Sequence, residues 1–159
     1  MACSTGRTTH EDREDAEVAA RAIGQQLIVL SASNASEIRA AFATFVQRGV
    51  GALIIAANAF TFSNRNEIVA LAAQYKLPAS YGLRENATAG GLISYSASIT
   101  DAYRQVGVYA GRILKGDKPG DLPVVQSTKF EFVINLKTAK SLGLTVPLIM
   151  QMTADEVIE

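Results

Sequence analysis

The sequence predicts an α/β domain, a three-layer arrangement in which a mostly parallel sheet is flanked by helices. Two observations support this fold class. Apolar runs of strand length alternate with amphipathic segments of helix length, at intervals of about 25 residues from residue 16 onward. The amphipathic segments also begin near polar capping residues and end near glycine, as helices in such domains commonly do.

The first regular segments are expected between residues 16 and 31. Ala16–Ile23 is typical of a short helix, because Gly24 follows it at the position that a helix C-cap prefers. Gln25–Ser31 (QQLIVLS) is rich in β-branched residues and leucine, which predicts the first strand. Residues 1–15 are polar, and their composition predicts a disordered tail.

Two pairs of residues have the three-residue spacing of a capping box and predict helices after them. Asn34 with Glu37 precedes one amphipathic segment, and Asn64 with Glu67 precedes another. The apolar side chains that share one face of the first of these helices are Ile38, Ala41, Phe42, Phe45 and Val46.

Further strands follow each predicted helix. Val50–Asn58 is a continuous apolar run, as expected for a strand covered on both faces of a parallel sheet. The short runs LPASYG (77–82) and GGLISYS (90–96) predict two more. The strands at 26–31, 51–56 and 78–82 are therefore expected to pair in parallel.

The last third of the chain changes in character. Ser98 and Asp101 have capping-box spacing and open a helix over Thr100–Lys115, which a Pro/Gly-rich connector, Asp117–Pro123, follows. Alternating apolar and polar residues in KFEFVI (129–134) predict a strand that runs into a short helix. The C-terminal segment could add one more strand.

Composition excludes several classes of function. Fifteen basic and fifteen acidic side chains give no net charge, which disfavours nucleic acid as a partner. Cys3 and His10 are each the single residue of their type, so neither an internal disulfide nor a histidine metal cluster is expected. The polar N-terminus lacks the apolar core of a signal peptide, and the chain as written is therefore expected in the cytoplasm.

Ligands of open parallel sheets bind at the carboxyl ends of the strands, and this places the candidate site in the loops there. These loops carry aromatic rings, hydroxyls and charges but no histidine base, phosphate-binding loop or acidic cage, so neither an enzyme nor a cofactor or metal site is expected. Packing for Phe60, a solvated pair for Arg84 with Glu85, and a helix cap for Ser98 stay open as alternatives. The predicted ligand-binding residues are Asn58, Phe60, Tyr81, Glu85, Ser94 and Tyr95.

The stretches SITDAYRQVGVYAGRILKG (98–116) and QSTKFEFVINLKTAK (126–140) carry a resemblance to a known family. From about Ala16 to its end the chain resembles the C-terminal half of ABC-transporter substrate-binding proteins of the tryptophan/tyrosine-binding kind, which have the type I periplasmic-binding-protein fold. The resemblance implies one lobe of a two-lobed periplasmic protein. Such a protein binds a small organic solute, such as an amino acid, and presents it to an ABC permease.

The resemblance also implies a division of the chain. Residues 16–95 would form the α/β lobe, 96–124 a crossover helix and linker on the side of the other lobe, and 125–159 a return strand, helix and terminal segment. The chain would cross between lobes near Ile93–Ser96 and near Val125–Phe130.

A second hypothesis is a stand-alone small-molecule sensor or oligomerisation module with the same lobe architecture. The helix over Thr100–Lys115 has too many apolar residues for one narrow stripe, and this predicts a homodimer through it. The Asp117–Pro123 connector could act as the hinge of a domain swap.

Overall fold

Five short strands form one mixed sheet in the order β1-β2-β3-β4-β5 in this computed structural model, which describes residues 10–125 and 128–159. The strands are β1 (Leu53–Ile55), β2 (Ala79–Tyr81), β3 (Ile93–Ala97), β4 (Phe130–Asn135) and β5 (Glu156–Ile158). The helices are α1 (His10–Ala22), α2 (Ala35–Gln47), α3 (Ala59–Ser63), α4 (Arg65–Gln74), α5 (Arg84–Thr88), α6 (Ile99–Leu114), α7 (Leu136–Ser141) and α8 (Leu148–Thr153), with a 3₁₀ turn at Pro119–Asp121.

The strand directions confirm the predicted α/β class and refine it. β1, β2 and β3 are parallel, and β5 is parallel to β4. The pair β3–β4 is antiparallel, with a register that runs from Ile93 opposite Ile134 to Ala97 opposite Phe130. The C-terminal segment does add a strand. The described residues therefore form a mixed sheet with flanking helices. Within this sheet β4 lies antiparallel beside β3.

The predicted strand at Gln25–Ser31 is not part of this sheet, and β1 forms its edge. The side chains of Ile28 and Leu30 nevertheless pack against the core, as the alternation of an extended segment requires. The prediction of a strand from the β-branched and leucine content of this run is wrong. Composition gives no information on the backbone hydrogen bonds to a neighbour that define a strand.

The expectation that the Val50–Asn58 run is covered on both faces is also wrong. Leu53 and Ile55 are buried, whereas Ile54 between them is 55% exposed. Only the face that packs on the helices is closed at this edge strand. An apolar run alone cannot distinguish a central strand from an edge strand with one open face.

The N-cap role of Asn34 before α2 is confirmed, but the second bond of the predicted capping box is made to the backbone N–H of Ser33 rather than to that of Asn34. Asn34 Oδ1 accepts a hydrogen bond from the Glu37 backbone N–H at 3.0 Å, and the Glu37 carboxylate accepts one from the Ser33 N–H at 2.7 Å. The backbone and hydroxyl bonds from Ser33 hold the pKa of Glu37 below its ordinary value. On the apolar face only Val46 departs from the prediction, being 45% exposed.

The predicted capping box of Asn64 and Glu67 is wrong. α3 ends where α4 begins, so Asn64 lies at a junction with φ −100° and ψ 14°, outside the extended region that a cap needs. Its side-chain amide donates to the Phe60 carbonyl at 2.9 Å, and Glu67 pairs with Arg39 at 2.7 Å.

The first helix begins earlier than the sequence pattern predicted. α1 starts at His10, so residues 10–15, expected in a disordered tail, are helical; Cys3 lies outside the described residues. A polar first turn carries no hydrophobic periodicity, which explains the difference. The end is as predicted, because Gly24 adopts φ +66° and the following N–H bonds the Ala20 carbonyl at 2.8 Å.

The hydrophobic core lies between one face of the sheet and helices α2 and α4. Phe42 is fully buried at its centre, with its ring 6.3 Å from Phe45 edge-on and 6.3 Å from Tyr75 in a stacked arrangement. Leu53, Ile55 and Tyr81 close the core from the sheet. α6, in contrast, buries none of its residues. Within the described residues, no helix is both long and apolar enough to cross a bilayer.

Candidate functional site

The carboxyl ends of β2 and β3 lie next to the beginning of β4. We call this end of the strands the carboxyl edge of the sheet, as distinct from its outer strands. Arg84 begins α5 just after β2, and Ser98 follows the last residue of β3. Because β4 runs antiparallel to β3, its first residues return to the same edge, and the Ser98 N–H bonds the Lys129 carbonyl at 2.8 Å. Polar side chains from three separate segments therefore meet there.

These segments line an open pocket of about 290 Å³ that we call the edge pocket. Its volume is at the lower end of the range for small-molecule sites. Three cationic and two acidic side chains line it, so both signs of charge are present with a surplus of one positive charge. The lining residues are Arg84, Ser98, Thr100, Asp101, Arg104, Lys129 and Glu131.

Ser98 connects the strand, the helix and the pocket. Its hydroxyl donates to Glu131 Oε1 at 2.6 Å and accepts from the Asp101 N–H at 3.3 Å, so the predicted N-cap of α6 is confirmed. Ser98 is almost completely buried, which fixes Glu131 at the pocket wall. The same hydroxyl thus caps a helix and orients a charged side chain.

Arg84 pairs with Glu156 on β5 rather than with its neighbour Glu85. The hydrogen bond that Arg84 donates to Glu156 raises the pKa of Arg84, and the negative charges of Glu156, Glu131 and Glu85 act in the same direction. The guanidinium is therefore a permanent cation, 45% exposed, between the edge pocket and the C-terminal strand.

The first two predicted site residues have structural roles at the end of β1. Asn58 is the N-cap of α3: its side chain accepts from the Thr61 N–H at 2.9 Å, while the Thr61 hydroxyl accepts from the Asn58 N–H at 3.1 Å. Phe60 is half-buried and packs against the core, as the packing alternative expected. Neither lines the edge pocket.

Tyr81 and Ser94 lie inside the domain. They are opposite each other in the parallel pair β2–β3, and their side chains are 2% and 0% exposed. Burial raises the pKa of Tyr81, and the Ser94 hydroxyl has no hydrogen-bond partner within the described residues. A strand-end position in the sequence did not reveal that these side chains point to the helix-covered face.

Tyr95 lies on the opposite face from its neighbour Ser94, as strand alternation requires. Its ring stacks on Phe130 at 5.5 Å and meets Phe132 edge-on at 6.2 Å, while 59% of the residue stays exposed. Glu85 is exposed on α5 next to Arg84. The structure therefore does not bring the six predicted residues into one cluster.

Sequence reasoning missed most of the edge pocket. Arg104, Lys129 and Glu131 were not among the predicted residues, although 129–134 was expected to form a strand. The antiparallel return of β4 beside β3 places Lys129 and Glu131 at the carboxyl edge, whereas Arg104 lies on α6, which follows β3. Within the described residues, no group of three or more His, Cys, Asp or Glu side chains could hold a metal ion.

In open α/β sheets small ligands bind at the carboxyl ends of the strands, and the edge pocket lies at this position. The chain belongs to the ABC transporter substrate-binding protein family, whose profile matches residues 2–158. No curated protein matches the chain.

The solved structures that resemble the chain include the following three. A conserved domain protein from Vibrio cholerae has a TM-score of 0.85 at 19% identity over 98% of this chain and 54% of its own. The ABC domain in complex with L-Trp from Streptococcus pneumoniae has a TM-score of 0.80 at 25% identity, over 99% of this chain and 56% of its own. A ligand-free, open substrate-binding protein with adhesive properties from Clostridium difficile has a TM-score of 0.65 at 17% identity, over 99% of this chain and 54% of its own. The chain thus spans about half the length of these structures.

Proposed function

We propose that this chain is one lobe of the solute-binding component of an ABC importer, and that it binds a small organic solute such as an amino acid. The observation that carries the proposal is the edge pocket, in which three cationic and two acidic side chains line a volume of about 290 Å³. A zwitterion presents a carboxylate and an ammonium group, and such a wall can accommodate both. The L-Trp bound to the Streptococcus pneumoniae structure supports this ligand class.

The division of the chain suggested by the resemblance fits this proposal. Residues 16–95 and 125–159 would be the lobe itself, and 96–124 would lie on the side of a second lobe. An ABC permease in the membrane would be the protein partner, and the periplasm the location, as the family membership suggests. Since about half of the neighbours' length is not covered, part of a complete ligand enclosure would come from elsewhere.

Calorimetry with a panel of aromatic and branched amino acids tests ligand binding. One lobe encloses a ligand incompletely, so the expected dissociation constant is weaker than about 100 μM. The Arg104→Gln variant should bind more weakly, because it removes a pocket cation. Arg48→Gln is the control, since this exposed residue follows α2 and does not line the edge pocket. The absence of binding by every member of the panel would contradict the proposal.

The exposed face of α6 supports a second proposal, self-association. Tyr103 is 74% exposed, Val106 62% and Leu114 89%, an apolar surface that a partner would cover. We propose that a second copy of the chain covers it. Light scattering at micromolar concentration should give a dimer for the chain and a monomer for a Val106→Lys/Leu114→Lys variant that is still folded. A monomeric chain would contradict this proposal.

A further inference from the structure

Arg84 belongs to two features at once. It lines the edge pocket, and it forms the ion pair with Glu156 that connects the β2–α5 turn to β5. A guanidinium carries five N–H donors, and the hydrogen bond to Glu156 uses one of the two on Nη2. A solute carboxylate that uses this same Nη2 donor has to displace Glu156.

The edge pocket has one more cation than anions, and Arg84 and Arg104 both lie on its wall. Arginine pairs best with carboxylate, because its planar fork donates two parallel hydrogen bonds to the two oxygens. We propose that the solute carries a carboxylate, that Arg84 binds this group, and that Glu156 is an internal competitor for the same guanidinium. The inference rests on the proposed function and specifies its ligand class and one residue that sets its affinity.

Glu156 is suited to competition because its backbone is fixed while its side chain is not enclosed. The ladder with β4 places it opposite Val133, and its side chain is 39% exposed. The negative charge of Glu156 repels an incoming carboxylate, and the charges of Glu131 and Glu85 repel it as well. While Glu156 occupies Arg84, the fraction of molecules ready to bind the solute is reduced, and the apparent affinity falls by that fraction.

Three compounds separate the two ends of an amino acid. L-Phenylalanine has both charged groups, 3-phenylpropionate only the carboxylate, and phenethylamine only the ammonium group. NMR titration of the chain should show binding of the first two, with phenethylamine at least about tenfold weaker. The Nε–H signal of Arg84, assigned with the Arg84→Lys variant, should shift with 3-phenylpropionate.

Glu156→Gln should bind 3-phenylpropionate about twofold to fivefold more tightly, since an exposed ion pair of modest strength is removed. Arg84→Gln should weaken binding of this compound about tenfold or more. Glu67→Gln breaks the comparable pair with Arg39, which lies away from the pocket. This variant should leave the affinity for 3-phenylpropionate unchanged. Thermal melts establish that each variant is folded.

Binding of the carboxylates that is indifferent to both Arg84→Gln and Glu156→Gln would overturn this inference while leaving the proposed function standing. Tighter binding of phenethylamine than of 3-phenylpropionate would overturn it as well. Binding of none of the three compounds would overturn this inference and count against the proposed function.

Discussion

Replacing Gly91 by alanine should destabilise the domain strongly. A Cβ at this position would lie 2.6 Å from Tyr81 Cε2 and 2.7 Å from the backbone carbonyl oxygen of Asn86. Ordinary contacts between non-bonded carbon atoms lie at about 3.5–4.0 Å, so the Tyr81 ring would have to move by about 1 Å, and the Asn86 oxygen is also closer than a Cβ can approach. Neither moves easily, because Tyr81 is buried and the Asn86 carbonyl accepts the Gly91 N–H at 2.8 Å.

Overpacking of a core costs about 1–3 kcal/mol, and the backbone obstruction places Gly91→Ala at the upper end, about 3 kcal/mol. In a chain of this length that corresponds to a fall in Tm of about 6–12 °C, measurable by calorimetry or circular dichroism. Gly51→Ala is the matched control, since its Cβ would meet nothing within 4 Å. It should leave the Tm unchanged or raise it slightly.

Combining Gly91→Ala with Tyr81→Leu should cost less than the sum of the two single changes, because the shorter side chain removes the ring contact. The Asn86 carbonyl would still be too close to the new Cβ, so the Tyr81→Leu change should restore only part of the lost stability. Equal Tm values for Gly91→Ala and Gly51→Ala would refute the steric argument.

Three further predictions concern the core and the start of α2. Phe42→Ala should lower the free energy of unfolding by about 3–5 kcal/mol in urea denaturation, and Phe62→Ala, at a 40% exposed residue, by much less. Asn34→Ala should cost about 1 kcal/mol in the same assay, and no loss would contradict the capping role. The lowered pKa of Glu37 means that its carboxylate stabilises the fold above its ordinary value of 4.5 and that this contribution is lost as pH falls through the lower folded value. Between about pH 5 and pH 3 the chain should therefore lose more stability than Glu37→Gln does.

Local patterns predicted the elements that depend on neighbouring residues along the chain. The α2 cap at Asn34 and the end of α1 at Gly24 follow from hydrogen bonds spanning a few residues. The apolar face of α2 follows from the helical period, and only Val46 at its end departs from it. The Ser98 cap of α6 was also predicted from neighbouring residues. The family was predicted in the same way, because its characteristic stretches are continuous runs of sequence.

Tertiary structure alone decided which residues form the pocket. Whether a strand-end side chain faces the core or the solvent depends on the register of its strand, and this sends Tyr81 and Ser94 inward while Tyr95 points away. Glu131 reaches the edge pocket because β4 returns antiparallel to β3, and Arg84 meets a carboxylate 72 residues later in the chain. The hydrophobic pattern within a strand carries no information on its neighbours or direction, since these are set by backbone hydrogen bonds between distant segments.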